Sequence, residues 1–354
     1  MKKPLLLRIH SWAGLGAGIF LFLLSVSGTL LVFRETLDSF QKPGISKSAG
    51  TAITVDSCRK ILQQKYPKAE ISSCQLPAGK QPFSFFVYDS SLNRFQQARE
   101  IFIDPVTGNI SGIRGGSEDI RHNFMGWLSK FHSTFHAGKT GEWLLGVIAI
   151  FFVLGIVTGL VLYRENILNV LLFRKHAWNR KNLHQLIGVY ALLFNLMWGV
   201  SGYWMQRYVF KKDFYTVSAW NKTSKPSPAL SFSFDSALNQ VKKQYPAFTA
   251  YVVYFAQSNK GKTAVYGSNS TNGFIHSKKF ADVIALDSAG AIVSTRFVNE
   301  NTPGDYYDIV NSQLHMGKYG GWPVKLLYGV FGITAALLSI TGFLLWRKRK
   351  SGTV

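Results

Sequence analysis

His136-Ala137-Gly138-Lys139-Thr140-Gly141-Glu142-Trp143 recurs as His315-Met316-Gly317-Lys318-Tyr319-Gly320-Gly321-Trp322, so the pattern H-x-G-K-x-G-x-W is present twice. Each copy leads directly into an apolar run long enough to cross a bilayer. A second pair supports the duplication. His10-x-x-x-Gly14 followed by Val26-Ser27-Gly28 matches His184-x-x-x-Gly188 followed by Val200-Ser201-Gly202, with 18 residues from histidine to the last glycine in both copies. The chain reads as an internal tandem repeat that sets histidines at equivalent membrane-edge positions. Ionisable side chains at membrane depth are costly and mark functional sites. A helical bundle with facing histidines can hold a metal cofactor in its core.

Four stretches carry no Asp, Glu, Lys or Arg: Ile9 to Phe33, Trp143 to Tyr163, Asn182 to Gln206 and Leu326 to Trp346, each 21 to 25 residues long. At about 1.5 Å of rise per residue, a hydrocarbon core of about 30 Å needs about 20 residues, so all four can span. The expected fold is therefore a membrane protein with a bundle of four transmembrane α-helices and two large loops between them. Basic residues orient it. Lys2, Lys3 and Arg8 precede the first span, Arg164, Arg174, Lys175, Arg180 and Lys181 lie between the second and third, and Arg347 to Lys350 follow the fourth. Both termini and the middle loop are expected on the cytoplasmic side of a bacterial inner membrane, with the two long segments in the periplasm. The first span is too long for the apolar core of a cleaved signal peptide, and no small-residue cleavage site follows it. The expected divisions are 1–34 for the first span, 35–125 for the first outer module and 126–163 for a histidine motif with the second span. Residues 164–181 form a cytoplasmic loop, 182–206 the third span, 207–310 the second outer module and 311–354 the second histidine motif, fourth span and tail.

Of the net charge of +22, much of the cytoplasmic share is accounted for by this orientation, and the outer lysines read as solvated faces with attraction of anionic ligands as the alternative; nucleic acid is not an expected partner and membrane lipid is. Cys58 and Cys74 both fall in the first outer segment. An oxidising compartment permits a disulfide there, and two free thiols are equally compatible with the spacing. No G-x-G-x-x-G follows a strand pattern and no G-x-x-x-x-G-K-[ST] occurs, so the chain shows no nucleotide-binding fingerprint.

The outer segments repeat each other in coarse order. Thr51 to Pro67 reads as a capped amphipathic helix stopped by proline, with Ile61, Leu62 and Tyr66 on its apolar face. Phe83 to Tyr88 and Ile101 to Ile110 read as strands, the latter containing a turn at Asp104-Pro105-Val106-Thr107-Gly108. In the second segment, Phe234 to Pro246 reads as a helix ending in Tyr-Pro, followed by strand-like Tyr251 to Phe255 and Val283 to Gly290. A helix ending in Tyr-Pro, then strands and a D-P-x-T-G turn, resembles the PepSY domain. Four spans with these histidine motifs and two such α+β modules resemble the PepSY-associated transmembrane family over nearly the whole chain. Phe131-His132-Ser133-Thr134-Phe135-His136-Ala137-Gly138 is similar to the family's first histidine motif with His132 in the family position, whereas the internal repeat aligns His136 with His315. The resemblance implies an inner-membrane haem protein that reduces ferric siderophores in the periplasm, taking electrons from an external donor such as quinol or a cytoplasmic reductase.

In the expected topology His10 and His184 share the cytoplasmic end, and His132, His136 and His315 share the outer end. Two clusters on opposite faces suggest two cofactors. Paired neutral imidazoles suit haem b used for electron transfer, because both axial positions are filled. Gly14 and Gly188, one turn beyond the inner histidines, would leave room for a flat macrocycle, although small residues also serve helix packing. His132 and His136 lie one turn apart on one helix face, so either can be the outer ligand. A zinc site of His132, His136 and His315 is the competing metal reading, and a regulatory PepSY protein without redox activity or a transporter are the competing functions. His122, His176 and His276 sit in polar contexts and read as surface residues.

Overall fold

A computed structural model describes residues 3–45, 53–77, 79, 81–92, 97–172, 174, 179–215, 227, 232–256, 261–269, 275, 279–300 and 303–351. Their elements in chain order are α1 (Lys3–Val32), α2 (Arg34–Ser39), α3 (Val55–Lys65), β1 (Glu70–Gln75), β2 (Phe83–Tyr88), β3 (Ala98–Ile103) and β4 (Ile110–Gly115). Then come α4 (Phe124–Thr134), α5 (Gly138–Tyr163), α6 (Ile167–Leu171), α7 (Arg180–Tyr190), α8 (Leu192–Gln206) and α9 (Phe234–Gln244). The chain continues through β5 (Thr249–Tyr254), β6 (Thr263–Ser268), β7 (Asp282–Leu286) and β8 (Ile292–Arg296), and ends with α10 (Pro303–Met316), α11 (Gly321–Gly332) and α12 (Thr334–Lys350). They form two units, a helical one of residues 1–34, 128–217 and 311–354, and a sheet unit of residues 35–127 and 218–310.

In the helical unit, Lys3–Val32, Gly138–Leu171 and Gly321–Lys350 are long and apolar enough to cross a membrane. Large apolar side chains such as Leu154, Val157, Val161 and Val330 are exposed, as lipid-facing positions are. The third expected span is the exception to the straight-helix reading. Its residues fall in α7 and α8, which bend by 66° at Ala191. Neither proline nor a glycine pair sits at that bend, so none of the usual kink residues announces it. The turn between α11 and α12 has a visible support: Ser25 Oγ accepts the Ala336 amide at 3.0 Å and donates to the Gly332 carbonyl at 2.5 Å. One hydroxyl thus satisfies both backbone groups released by the break. Helix α1 packs against α5, α11 and α12, α5 against α8, and α12 against α7.

In the sheet unit, the strands of the two expected α+β modules are joined in a shared sheet. All eight strands form one antiparallel sheet in the order β4-β3-β2-β1-β5-β6-β7-β8. The join is β1 against β5, with Ser73 opposite Tyr254, Cys74 opposite Val253 and Gln75 opposite Val252. Either strand left at an edge would expose unpaired amides and carbonyls, and pairing them removes both edges at once. Strands β1, β6 and β8 were not marked by alternation in the sequence. Helices α3 and α9 cover one face, where Cys58, Leu62, Phe85, Phe234, Val253 and Val265 make the core. Thr54 caps α3 and Ser233 caps α9. The two helices also cap each other. Asp235 accepts the Val55 and Asp56 amides at 3.0 and 2.9 Å, and Asp56 accepts the Phe234 and Asp235 amides at 3.1 Å each. Burial, with Asp56 beside it, raises the Asp235 carboxyl above its ordinary range. Cys58 and Cys74 are free thiols, both buried, and loss of water pushes the Cys58 thiol up to about 12.

Candidate functional site

Four histidines of the helical unit meet in two pairs. His10 in α1 faces His184 in α7, with ring centres 6.2 Å apart. His132 in α4 faces His315 in α10, with ring centres 6.5 Å apart. Of the two outer candidates on the first motif, it is His132 that stands opposite His315. The His136 ring lies against Phe131 at 6.3 Å, and its backbone takes the left-handed φ of 56°. His136 belongs to the reversal between α4 and α5. The repeated H-x-G-K-x-G-x-W motif is turn chemistry, in which Gly138 and Gly317 adopt φ values of 55° and 63°. At Gly141 a Cβ would come within 1.7 Å of the Thr134 carbonyl oxygen, so only glycine fits. Aligning the motif copies displaces the true counterpart of His315 by one helical turn.

The surroundings of the four rings match. His10 Nδ1 lies 3.1 Å from Thr158 Oγ1 and 3.0 Å from the Gly155 carbonyl. His184 Nδ1 lies 2.8 Å from Thr341 Oγ1, His132 Nδ1 2.9 Å from Ser27 Oγ, and His315 Nδ1 2.9 Å from Ser201 Oγ. Each hydroxyl is followed by a glycine against the same ring. A Cβ on Gly159 would come within 3.1 Å of His10 Cε1, on Gly342 within 3.4 Å of His184 Cε1, on Gly28 within 2.9 Å of His132 Cε1, and on Gly202 within 3.3 Å of His315 Cε1. Of these dipeptides, Ser27-Gly28 and Ser201-Gly202 lie in the motif visible in sequence. Thr158-Gly159 and Thr341-Gly342 were missed, although their shared offset from His132 and His315, 26 and 27 residues, was available as a signal. Among the described residues, Nε2 of these four rings has no hydrogen-bond partner.

A cavity of about 1040 Å³ surrounds the inner pair, at the upper end of the range for cofactor pockets. Its walls are apolar apart from His10, His184 and a few neutral polar groups, with Arg349 as the one formally charged lining residue. Gly14, Gly18, Gly155 and Gly188 line it; a Cβ on the first three would meet nothing within 4 Å, and one on Gly188 would meet Leu338 at 3.8 Å. The outer pair is fixed by contacts from neighbouring helices: Trp198 Nε1 donates to the His315 carbonyl at 3.2 Å, and Asn311 Nδ2 to the Ser201 carbonyl at 3.3 Å.

The fit to haem can be tested on these distances. A metal-bound imidazole nitrogen sits about 2.0 Å from the ion and about 1.1 Å from its own ring centre, so two axial imidazoles place their centres about 6.2 Å apart. The two pairs lie close to that spacing, at 6.2 and 6.5 Å, and the inner one lines a cavity. No group of three or more His, Cys, Asp or Glu side chains that could hold a metal ion occurs among the described residues, and the His136 ring lies against Phe131.

A model of the PepSY-associated TM region matches residues 7–349. The chain belongs to that family. No curated protein matches it. Within this PepSY-associated chain, the other sequence-marked residues take ordinary roles. Lys139 Nζ donates to the Phe214 carbonyl at 2.8 Å, Trp322 lies against Phe33 and under Lys325, and Trp143 is exposed. His122 is exposed and hydrogen-bonded to Asp119. His176 and His276 lie outside the described residues.

Proposed function

We propose that this chain is a two-haem b electron-transfer protein of the bacterial inner membrane that reduces ferric siderophores in the periplasm, Fe³⁺ to Fe²⁺. The carrying observation is the repeated spacing of His10 with His184 and of His132 with His315, each suited to axial ligation from both sides of one iron. Bound haem, which His10 with His184 and His132 with His315 would hold, would supply reversible one-electron transfer. The protein's part is to hold the rings, exclude water and place a cation at the inner site. Apolar walls from α1, α5, α7 and α12 would do the second, and Arg349, which lines the same cavity, would do the third as a partner for a carboxylate of the bound group.

The basic residues at both termini and in the middle loop support the orientation with His10 and His184 toward the cytoplasm. That puts the electron donor, quinol or a cytoplasmic reductase, at the inner pair and the ferric chelate at the outer pair. Reduction alone would release the iron, because Fe²⁺ is less charged and softer and is held far less tightly by hard oxygen ligands.

The test is anaerobic. Purified protein reduced with dithionite and freed of excess reductant is mixed with hydroxamate, catecholate and citrate complexes of Fe³⁺ together with a ferrous chelator. Reoxidation of the haem with matching capture of Fe²⁺ is expected for at least one complex. A haem that stays reduced with all three means that ferric reduction is the wrong reaction, and a protein that purifies without a Soret band leaves a PepSY binding or regulatory role.

A further inference from the structure

We propose, resting on the two-haem reading above, that Ser27-Gly28, Thr158-Gly159, Ser201-Gly202 and Thr341-Gly342 are positioning elements that fix which nitrogen each histidine offers to iron and set how strongly it donates.

A hydroxyl carries one proton and two lone pairs. Ser27, Thr158, Ser201 and Thr341 each donate that proton to the carbonyl four residues earlier in their own helix, at 2.7, 2.7, 2.6 and 2.8 Å. With the proton committed, the same oxygen can only accept from the histidine. Each ring therefore carries its hydrogen on Nδ1, and a neutral imidazole has only one. The lone pair is left on Nε2. His10 gives the same answer independently, since the Gly155 carbonyl beside its Nδ1 has no proton to give. The glycine that follows each hydroxyl completes the element: Cε1 of the ring packs where a Cβ would stand, so the ring is placed by a hydrogen bond on one atom and by close contact on the next.

Every hydroxyl lies on a different helix from the histidine it serves. Thr158 in α5 serves His10 in α1, Thr341 in α12 serves His184 in α7, Ser27 in α1 serves His132 in α4, and Ser201 in α8 serves His315 in α10. Serine is used at both outer positions and threonine at both inner ones. Accepting the Nδ1 proton makes the ring a stronger donor, and a stronger axial donor favours the ferric state. Loss of an acceptor should raise the reduction potential of that one site.

The experiment is a redox titration of the detergent-purified holoprotein followed by absorbance, with the low-spin ferric signals recorded by electron paramagnetic resonance. Ser201→Ala is expected to keep two haems per chain, raise one of the two potentials and change one of the two resonance signals, leaving the other site as it was. Ser201→Thr is expected to restore both. Thr341→Val and Thr341→Ser form the corresponding pair at the inner site and keep the test open should Ser201→Ala fail to fold. The proposal is overturned by an alanine or valine variant that leaves both potentials and both signals unmoved, or that shifts the two sites equally as general loosening would. Wild-type protein without haem would instead remove the functional reading on which it rests. Two haems with an unresponsive Ser201→Ala would sink this inference alone.

Discussion

Each of the four paired histidines has a hydroxyl from another helix on its Nδ1, an arrangement that no single chain position reveals. On the proposed function, His184→Ala should lower the haem content from two per chain to about one, measured as pyridine haemochrome against protein. His136→Ala should leave it unchanged. Equal loss in both variants would mean that the outer reversal, and not the facing ring, holds the cofactor. Gly28→Ala puts a methyl group 2.9 Å from His132 Cε1, so it should weaken the outer site while leaving the inner one filled. The histidines were legible because they repeat. The choice between His132 and His136 was not, because residues four apart share a helix face and the left-handed turn at Phe135 and His136 that turns one of them away is a backbone decision.

At the scale of elements, the sheet unit holds an ionic chain on strands β3 and β4. Arg114 binds Asp38 of α2 with two hydrogen bonds of 2.7 and 3.1 Å and reaches Glu100 at 2.6 Å, with Ser84 hydrogen-bonded to the same carboxylate. Glu100 is only 1% exposed. Arg114→Ala would leave it buried without its counter-charge, a change worth about 3–5 kcal/mol, read as a fall in the thermal or denaturant midpoint; Glu100→Gln in the same background should recover part of it. Asp235→Ala removes the acceptor for two α3 amides and should cost about 0.5–2 kcal/mol, the usual value of a helix cap. The cysteines give a third check. With both thiols buried and Cys58 pushed up to about 12, alkylation at pH 8 should label neither until the protein is unfolded. The four apolar spans, helices α3 and α9 and the β2, β5 and β7 strands were readable from apolar spacing. The β1–β5 join was not, since nothing in either strand names its partner.

For the whole molecule, the proposed function places the two histidine pairs in series between donor and acceptor. His184→Ala should then abolish ferric reduction driven by a donor acting at the inner face, assayed in inverted vesicles carrying chelate inside, while the purified variant reduced by dithionite should still pass electrons to the chelate. Retained activity in the vesicles would show that the inner pair is not on the path. The same assay checks orientation, because the chelate must meet the face that carries His132 and His315.

Composition and spacing by themselves determined that the chain is a membrane protein with repeated histidine motifs at span ends, since a long apolar run has few alternatives in water and a duplicated pattern can be read without knowing its contacts. Tertiary structure alone decided the rest. It bent the third span at Ala191, fused two modules into one sheet through β1 and β5, and brought Thr158 and Thr341 to the inner rings. Each of these depends on which backbone and hydroxyl groups from distant segments must satisfy one another once buried, and that pairing is settled in space and not along the chain.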